Sequence, residues 1–263
     1  MCINIVLFGD EIGLLTLDEV INQYSNMVIK AIIVNEYRLK ANKIGKQIAK
    51  KNNCPLLFLP IEINSYDEFC EKLKGISPDL GICYSFDRII NPKILDVFKG
   101  QIFNIHGALL PKYRGANVLN WVLINDEKKT GVTIHQMTPE LDSGAIAVQR
   151  EISISEEDTA LTLREKLDKL SILVLNIFLQ QVISGEVVLR NQDESQVTYV
   201  KRRQPEDGFF SWDQDTRHIY NLIRALVKPW PGAWFIENGE KRVIDYYMSF
   251  EEVVKLKQEY TVK

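Results

Sequence analysis

Gln101-Ile102-Phe103-Asn104-Ile105-His106-Gly107 is an apolar run that ends in two polar side chains. Residues two apart in a strand share a face, so Asn104 and His106 project together from its end. One is a neutral hydrogen-bond donor, and the other is the side chain best suited to taking a proton near neutral pH. Upstream, the pattern alternates. Residues 3–8 read as a buried strand, 14–23 as a helix, 28–34 as a strand and 40–52 as a basic amphipathic helix. Residues 56–59 and 79–84 read as strands on either side of a helix at 66–74 that Gly75 stops. Alternation of this kind predicts an α/β fold, a doubly wound (Rossmann-like), mostly parallel sheet with helices on both faces. Ligands in such sheets bind beyond the carboxyl ends of the strands. Gly9, Tyr84-Ser85-Phe86 and Asn104-Ile105-His106 all fall at such ends, which predicts one shared crevice.

Downstream, 117–124 reads as a helix, 130–136 and 144–154 as strands, and 159–184 as a long helix with Gly185 at its stop. Beyond about Val188 the texture changes to short strands, a helix at 215–226 and the turn Pro229-Trp230-Pro231-Gly232. The predicted division is a catalytic domain over 1–187 and a small mixed α/β module over 188–263.

The 263 residues carry 32 basic and 35 acidic side chains, a net charge of −3 that sets up no field to attract nucleic acid. Cys2, Cys54, Cys70 and Cys83 lack metal-ligand spacing and read as reduced thiols of a cytoplasmic protein. No leader is expected, because Met1 runs almost directly into the first strand. No membrane span is expected either.

The chain beyond His106 is more specific. Leu109-Leu110-Pro111-Lys112-Tyr113-Arg114-Gly115, Gly131-Val132-Thr133-Ile134-His135 and Asp142-Ser143-Gly144 occur in this order. The stretch from Phe103 to Gln149 resembles the formyltransferases that use N10-formyltetrahydrofolate. Ser211-Trp212 and Lys228-Pro229-Trp230-Pro231-Gly232-Ala233-Trp234 resemble the region after the catalytic domain of members that formylate an amino sugar or methionyl-tRNA.

The resemblance implies a catalytic set of Asn104, His106 and Asp142, with the folate as co-substrate and no metal. His106 would accept the amine's proton, and Asn104 would donate to the developing oxyanion. Asp142 would orient His106 or hold a relay water; both roles stay open. Phe86, Arg88 and Ile90, with Leu141 and Asp142, would receive the pterin. Gly9, Asp10, Arg88 and Arg114 would meet the acceptor, a guanidinium being suited to a diphosphate. Arg114 reads equally well as a brace for its loop. His135, inside a strand, reads as structural, and His218 as exposed. Gly9 and Gly13 do not have the dinucleotide-binding spacing. Trp212, Trp230 and Trp234 read as core of the small module, although one of them, or Tyr220, can stack on a nucleotide base.

For the acceptor, the Gly107-Ala108-Leu109-Leu110-Pro111 sequence departs from the pattern usual in glycinamide ribonucleotide enzymes. The segment from Lys201 onward has 11 basic and 10 acidic residues and is shorter than a full carboxyl-terminal barrel, which disfavours tRNA. The expected acceptor is a nucleotide-linked amino sugar, a dTDP-4-amino-4,6-dideoxyhexose or its 3-amino isomer, with UDP-linked sugars open. Such an enzyme would serve surface-polysaccharide (lipopolysaccharide O-antigen) synthesis as a cytoplasmic homodimer. Methionyl-tRNA formyltransferase with a reduced carboxyl-terminal domain, formyltetrahydrofolate hydrolase and a non-catalytic nucleotide-binding module are the competing readings.

Overall fold

In the computed structural model, which describes residues 2–261, the first half of the chain alternates strand and helix. The order is β1 (Ile3–Gly9), α1 (Glu11–Ile21), β2 (Met27–Val34), α2 (Leu39–Lys51), β3 (Leu56–Phe58), α3 (Tyr66–Ile76), β4 (Leu80–Tyr84), α4 (Pro92–Val97) and β5 (Ile102–His106). Next come β6 (Arg114–Gly115), α5 (Val118–Ile124), β7 (Lys129–Gln136), β8 (Ile146–Ser153) and α6 (Ala160–Ser184). The remainder holds β9 (Tyr199–Val200), α7 (Thr216–Ala225), β10 (Ala233–Glu237), β11 (Glu240–Ile244) and α8 (Phe250–Thr261).

Seven strands form one sheet in the order β3-β2-β1-β4-β5-β7-β8. The pairs β1–β2, β1–β4, β2–β3 and β4–β5 are parallel, as the alternation predicts. Ile5, Val6, Leu7 and Phe8 are fully buried, because a central strand is covered on both faces. Burying one such side chain contributes roughly 1.5–3 kcal/mol. One face of the sheet packs Val6, Phe8, Ala31, Ile33 and Cys83 against Phe69 and Leu73 of α3 and Ile94 and Leu95 of α4. On α1, the Asp10 carboxylate caps the helix, accepting from the backbone N–H of Ile12 (3.1 Å) and Gly13 (2.9 Å). Gly13 lies so close to β4 that a Cβ there would sit 2.1 Å from the Tyr84 carbonyl oxygen. Its glycine serves close helix–strand packing.

Two local expectations shift, and two helices were not foreseen. Helix α3 runs through Gly75 and stops where Ser77 takes the left-handed conformation (φ 52°). Two helices lacked an expectation, yet both carried start signals. Asn91-Pro92 opens α4, with the Asn91 side chain accepting from the N–H of Lys93 at 2.9 Å. Ser249 and Glu252 open α8 as a reciprocal cap, each side chain accepting the other's backbone N–H. Strand β7 runs antiparallel to β5. An alternating pattern predicts that a strand exists, and its direction depends on where the connection returns.

By contacts the chain forms two units that interleave along the sequence. One comprises the residues up to His106, Thr133–Gln149 and Ser171–Gln192. The other comprises Gly107–Val132, Arg150–Leu170 and the residues from Asp193 onward. In the second unit β10 and β11 pair antiparallel, and Trp212 stacks on Tyr260 (centroids 5.0 Å, interplanar angle 5°) beside Phe210 and Phe235. Tyr220 is 1% exposed and packs edge-on to Phe250, so stacking on a base is closed to it. His218 is exposed, as expected.

Helix α6 corrects the membrane expectation in one respect. Among the described residues it is long and apolar enough to cross a bilayer by length and composition. Its apolar stripe of Leu163, Leu167, Val174, Leu175, Phe178 and Leu179 is buried against protein. Phe178 meets Phe103 of β5 with ring centroids 4.7 Å apart.

Candidate active site

Strand β5 delivers Asn104 and His106 to one face, as their spacing predicts. The antiparallel register then sets Asn104 opposite His135 and His106 opposite Thr133 on β7. Cross-strand neighbours in such a pair have Cβ atoms about 4.5–5.5 Å apart. Asn104 Nδ2 accordingly lies 3.2 Å from His135 Nε2. His135 Nδ1 lies 3.0 Å from the Gln136 carbonyl oxygen. The two imidazole rings meet edge to face with centroids 6.2 Å apart. Thr133, fully buried, accepts from Gln149 Nε2 at 2.9 Å, which closes the floor below.

Asp142 reaches this group from the loop between β7 and β8. One carboxylate oxygen is 3.6 Å from His106 Nδ1 and the other 3.5 Å from His135 Nε2. Such distances attract charges without making a direct hydrogen bond of ordinary length. The side chains of His106 and Asp142 are 6% and 10% exposed, so little water screens them. Because Nδ1 of His106 faces the carboxylate, Nε2 lies on the opposite edge of the ring.

The loop is built to hold that carboxylate. Asp142 has φ 51°, a left-handed conformation that aspartate tolerates better than most residues. Gln192 Nε2 donates to the carbonyl oxygens of Asp142 and Gly144, both at 2.8 Å. The Thr138 and Ser143 hydroxyls are 2.8 Å apart, and Ser143 also donates to the Glu140 carbonyl. Position 144 must be glycine, since a Cβ there would fall 1.8 Å from the Gln136 carbonyl oxygen. Gln192 lies 50 residues from Asp142, and nothing in its local sequence marks it.

The loop after β4 carries Phe86, Arg88 and Ile90. Ile90 is buried, and the Phe86 ring meets Phe8 edge-on at 5.8 Å. Arg88 points its guanidinium at the β3–α3 connection, donating to the carbonyls of Leu59 (3.2 Å) and Pro60 (2.8 Å) and to the Tyr66 hydroxyl (3.3 Å). Asp87, between them, accepts from Asn35 Nδ2 (2.5 Å), the Tyr37 hydroxyl (2.9 Å) and Arg38 Nε (2.8 Å). Burial pushes the Asp87 carboxyl up, yet these hydrogen bonds from Tyr37 and Arg38 prevail and hold it below the usual carboxylate range. Asn35, Tyr37 and Arg38 carry no local signal of this role, because their link to Asp87 spans about 50 residues. Ile89 and Leu141 stand out as exposed apolar side chains on the two loops, 74% and 48% accessible.

In the other unit Arg114 is buried, its guanidinium donating to Glu194 (2.7 Å) and the Tyr199 hydroxyl (3.1 Å). That geometry matches the brace which its sequence position allowed. Gly9 ends β1, and the Asp10 carboxylate is engaged in capping α1. No group of three or more His, Cys, Asp or Glu side chains able to hold a metal occurs among the described residues.

The sheet is mostly parallel, and an Asn–His pair at the end of β5 meets an aspartate from the β7–β8 loop. In sequence, the formyl transferase family matches residues 17–177, and the formyl transferase carboxyl-terminal domain matches residues 202–252. The chain belongs to the formyl transferase family. It is 41% identical over 199 residues to the bifunctional polymyxin resistance protein ArnA of Wigglesworthia glossinidia brevipalpis, covering 76% of this chain. The chain spans 30% of that relative's length. Its fold is similar to that of the N-formyltransferase from Helicobacter canadensis, solved with folinic acid and dTDP-3-aminofucose (TM-score 0.71, 21% identity, 91% of this chain and 85% of that one). A 4-N formyltransferase from Francisella tularensis is also similar (TM-score 0.76, 18% identity, 94% of this chain and 98% of that one).

Proposed function

We propose that the protein transfers a formyl group from N10-formyltetrahydrofolate to the amine of a nucleotide-linked amino sugar. The observation that carries this reading is the convergence of Asn104, His106 and Asp142, with His106 Nδ1 3.6 Å from the carboxylate. The free amine attacks the formyl carbon, and His106 Nε2 takes the proton that the new C–N bond releases. Asn104 donates to the oxygen that gains negative charge. A donor of that kind contributes about 3 kcal/mol to transition-state stabilisation. The C–N10 bond then breaks, and N10 leaves with a proton returned through the His106–Asp142 pair. Holding both substrates together supplies much of the remaining rate.

For the folate, the residues fit an aromatic ligand. The backbone groups of Phe86, Arg88 and Ile90 receive the pterin together with Leu141 and Asp142, and exposed Ile89 and Leu141 are apolar surface for it to cover. The acceptor is a dTDP-4-amino-4,6-dideoxyhexose or its 3-amino isomer, a reading supported by the dTDP-3-aminofucose bound to the Helicobacter protein and by the 4-N formyltransferase activity named for the Francisella one. Gly9 and Asp10 contact it, and Arg88, with its guanidinium engaged, shapes the loop beside them, whereas Arg114 in the other unit braces its own loop. By sequence the division into a catalytic domain over 1–187 and a small module over 188–263 falls between the two matched segments, although the compact units interleave across it. A cytoplasmic homodimer serving surface-polysaccharide synthesis completes the reading.

Incubation with N10-formyltetrahydrofolate alone, then with dTDP- and UDP-linked amino sugars, then with methionyl-tRNA at low salt, tests it. Tetrahydrofolate release that depends on a nucleotide sugar is expected. Efficient formylation of methionyl-tRNA and of no sugar would sink the acceptor and spare the chemistry. Release without any acceptor would make the protein a hydrolase.

A further inference from the structure

Inside the site, His135 touches two of the three residues assigned to the reaction, and the reaction as derived leaves it without a part. It is 2% exposed and stands on β7 directly opposite Asn104. Its two ring nitrogens meet different chemistry. Nδ1 faces the Gln136 carbonyl at 3.0 Å. A carbonyl oxygen can only accept, so the proton must sit on Nδ1. In the neutral ring, Nε2 is then a bare acceptor. Two groups face Nε2: Asn104 Nδ2, a donor at 3.2 Å that complements it, and an Asp142 carboxylate oxygen at 3.5 Å, at the limit of hydrogen-bond reach. An imidazolium would be drawn to the carboxylate but would set its second N–H against the nearer Asn104 amide nitrogen, donor against donor, and the shorter contact favours the neutral ring. The opposite neutral tautomer would set two lone pairs against each other at Gln136.

We propose that His135 is a positioning residue: held in its neutral Nδ1–H tautomer by the Gln136 carbonyl, it accepts from Asn104 and fixes the orientation of that amide. One Asn104 N–H is spent on His135. The second N–H points elsewhere and is the one available to the formyl oxygen, and Oδ1 is left to accept from the attacking amine. A flipped amide would present oxygen to oxygen in the transition state. The backbone device behind this is short. Cross-strand register brings the two side chains together, and a carbonyl one residue along the same strand sets the proton. The catalytic consequence rests on the formyl-transfer reading, while the tautomer and the amide orientation do not.

Two measurements test it. Nitrogen-15 NMR of the histidine-labelled protein near neutral pH should show one buried ring with a protonated Nδ1 and an unprotonated Nε2. That signal is assigned by its disappearance in His135→Gln. A neutral ring protonated on Nε2, or a doubly protonated ring, overturns the proposal with no substrate involved. Kinetics supply the second arm. His135→Leu, which removes the acceptor, should lower kcat at least about ten-fold with little change in either KM, since the lost interaction acts on the transition state. His135→Gln can return an acceptor oxygen to the Nε2 position and should recover most of kcat. Equal losses in both variants, or a kcat unchanged in His135→Leu, rule out positioning. If no acceptor is ever formylated, the function assigned above fails and the NMR result still decides the geometry.

Discussion

Asp142 holds its carboxylate 3.6 Å from Nδ1 of His106 from a left-handed backbone position, φ 51°. In the proposed reaction the opposite ring nitrogen, Nε2, is the base. Removing the ring should therefore remove the base. In His106→Asn, kcat should fall by at least about 100-fold, the usual scale for a general base. Steady-state kinetics and circular dichroism check it; near-normal turnover in a folded variant would take His106 out of the mechanism.

Asparagine suits the left-handed conformation as well as aspartate does, so Asp142→Asn should fold normally. It loses the negative charge beside His106, whether that charge orients the ring or holds a relay water. Turnover should drop, and the shape of the pH–rate profile should change. An unaltered profile and rate would reduce Asp142 to a turn-former.

Gly13→Ala should destabilise the protein without touching the chemistry. Its Cβ would meet the Tyr84 carbonyl at 2.1 Å, and a rigid strand cannot yield cheaply. Overpacking of this kind costs typically about 1–3 kcal/mol. Denaturant unfolding measures it, and a midpoint equal to wild type would show that α1 shifts freely on β4.

Asp158, 3% exposed, accepts from the Ser155 N–H (2.7 Å), the Thr162 hydroxyl (3.0 Å) and Lys166 Nζ (2.6 Å). Burial pushes its carboxyl up, but these partners prevail and hold it below the ordinary value. A depressed folded value means stability that is present above the unfolded value, about 3.9, and lost as pH falls through the folded one. Asp158→Asn should cost about 2 kcal/mol at neutral pH, the scale of hydrogen bonds to a charged group. The deficit should shrink below about pH 4. Urea unfolding of both proteins across pH checks the trend, and a deficit constant with pH would remove the charge from the account.

Much of this protein was legible in its sequence because the relevant signals are local. Period-two and period-3.6 patterns marked β1 to β5 and most of the helices between them, and the i, i+2 spacing set Asn104 and His106 on one face. The motif order added Asp142. Tertiary structure alone decided the rest. The antiparallel run of β7 put His135 opposite Asn104, and a strand's direction is not written in its own residues. Whether Arg88 and Arg114 reach toward a ligand or brace loops depended on which distant carbonyls and carboxylates lacked partners. Leu59, Pro60 and Glu194 supplied the answer from 28 to 80 residues away. Sequence periodicity encodes which face a residue occupies, whereas long-range register and the satisfaction of buried polar groups determine what it meets there.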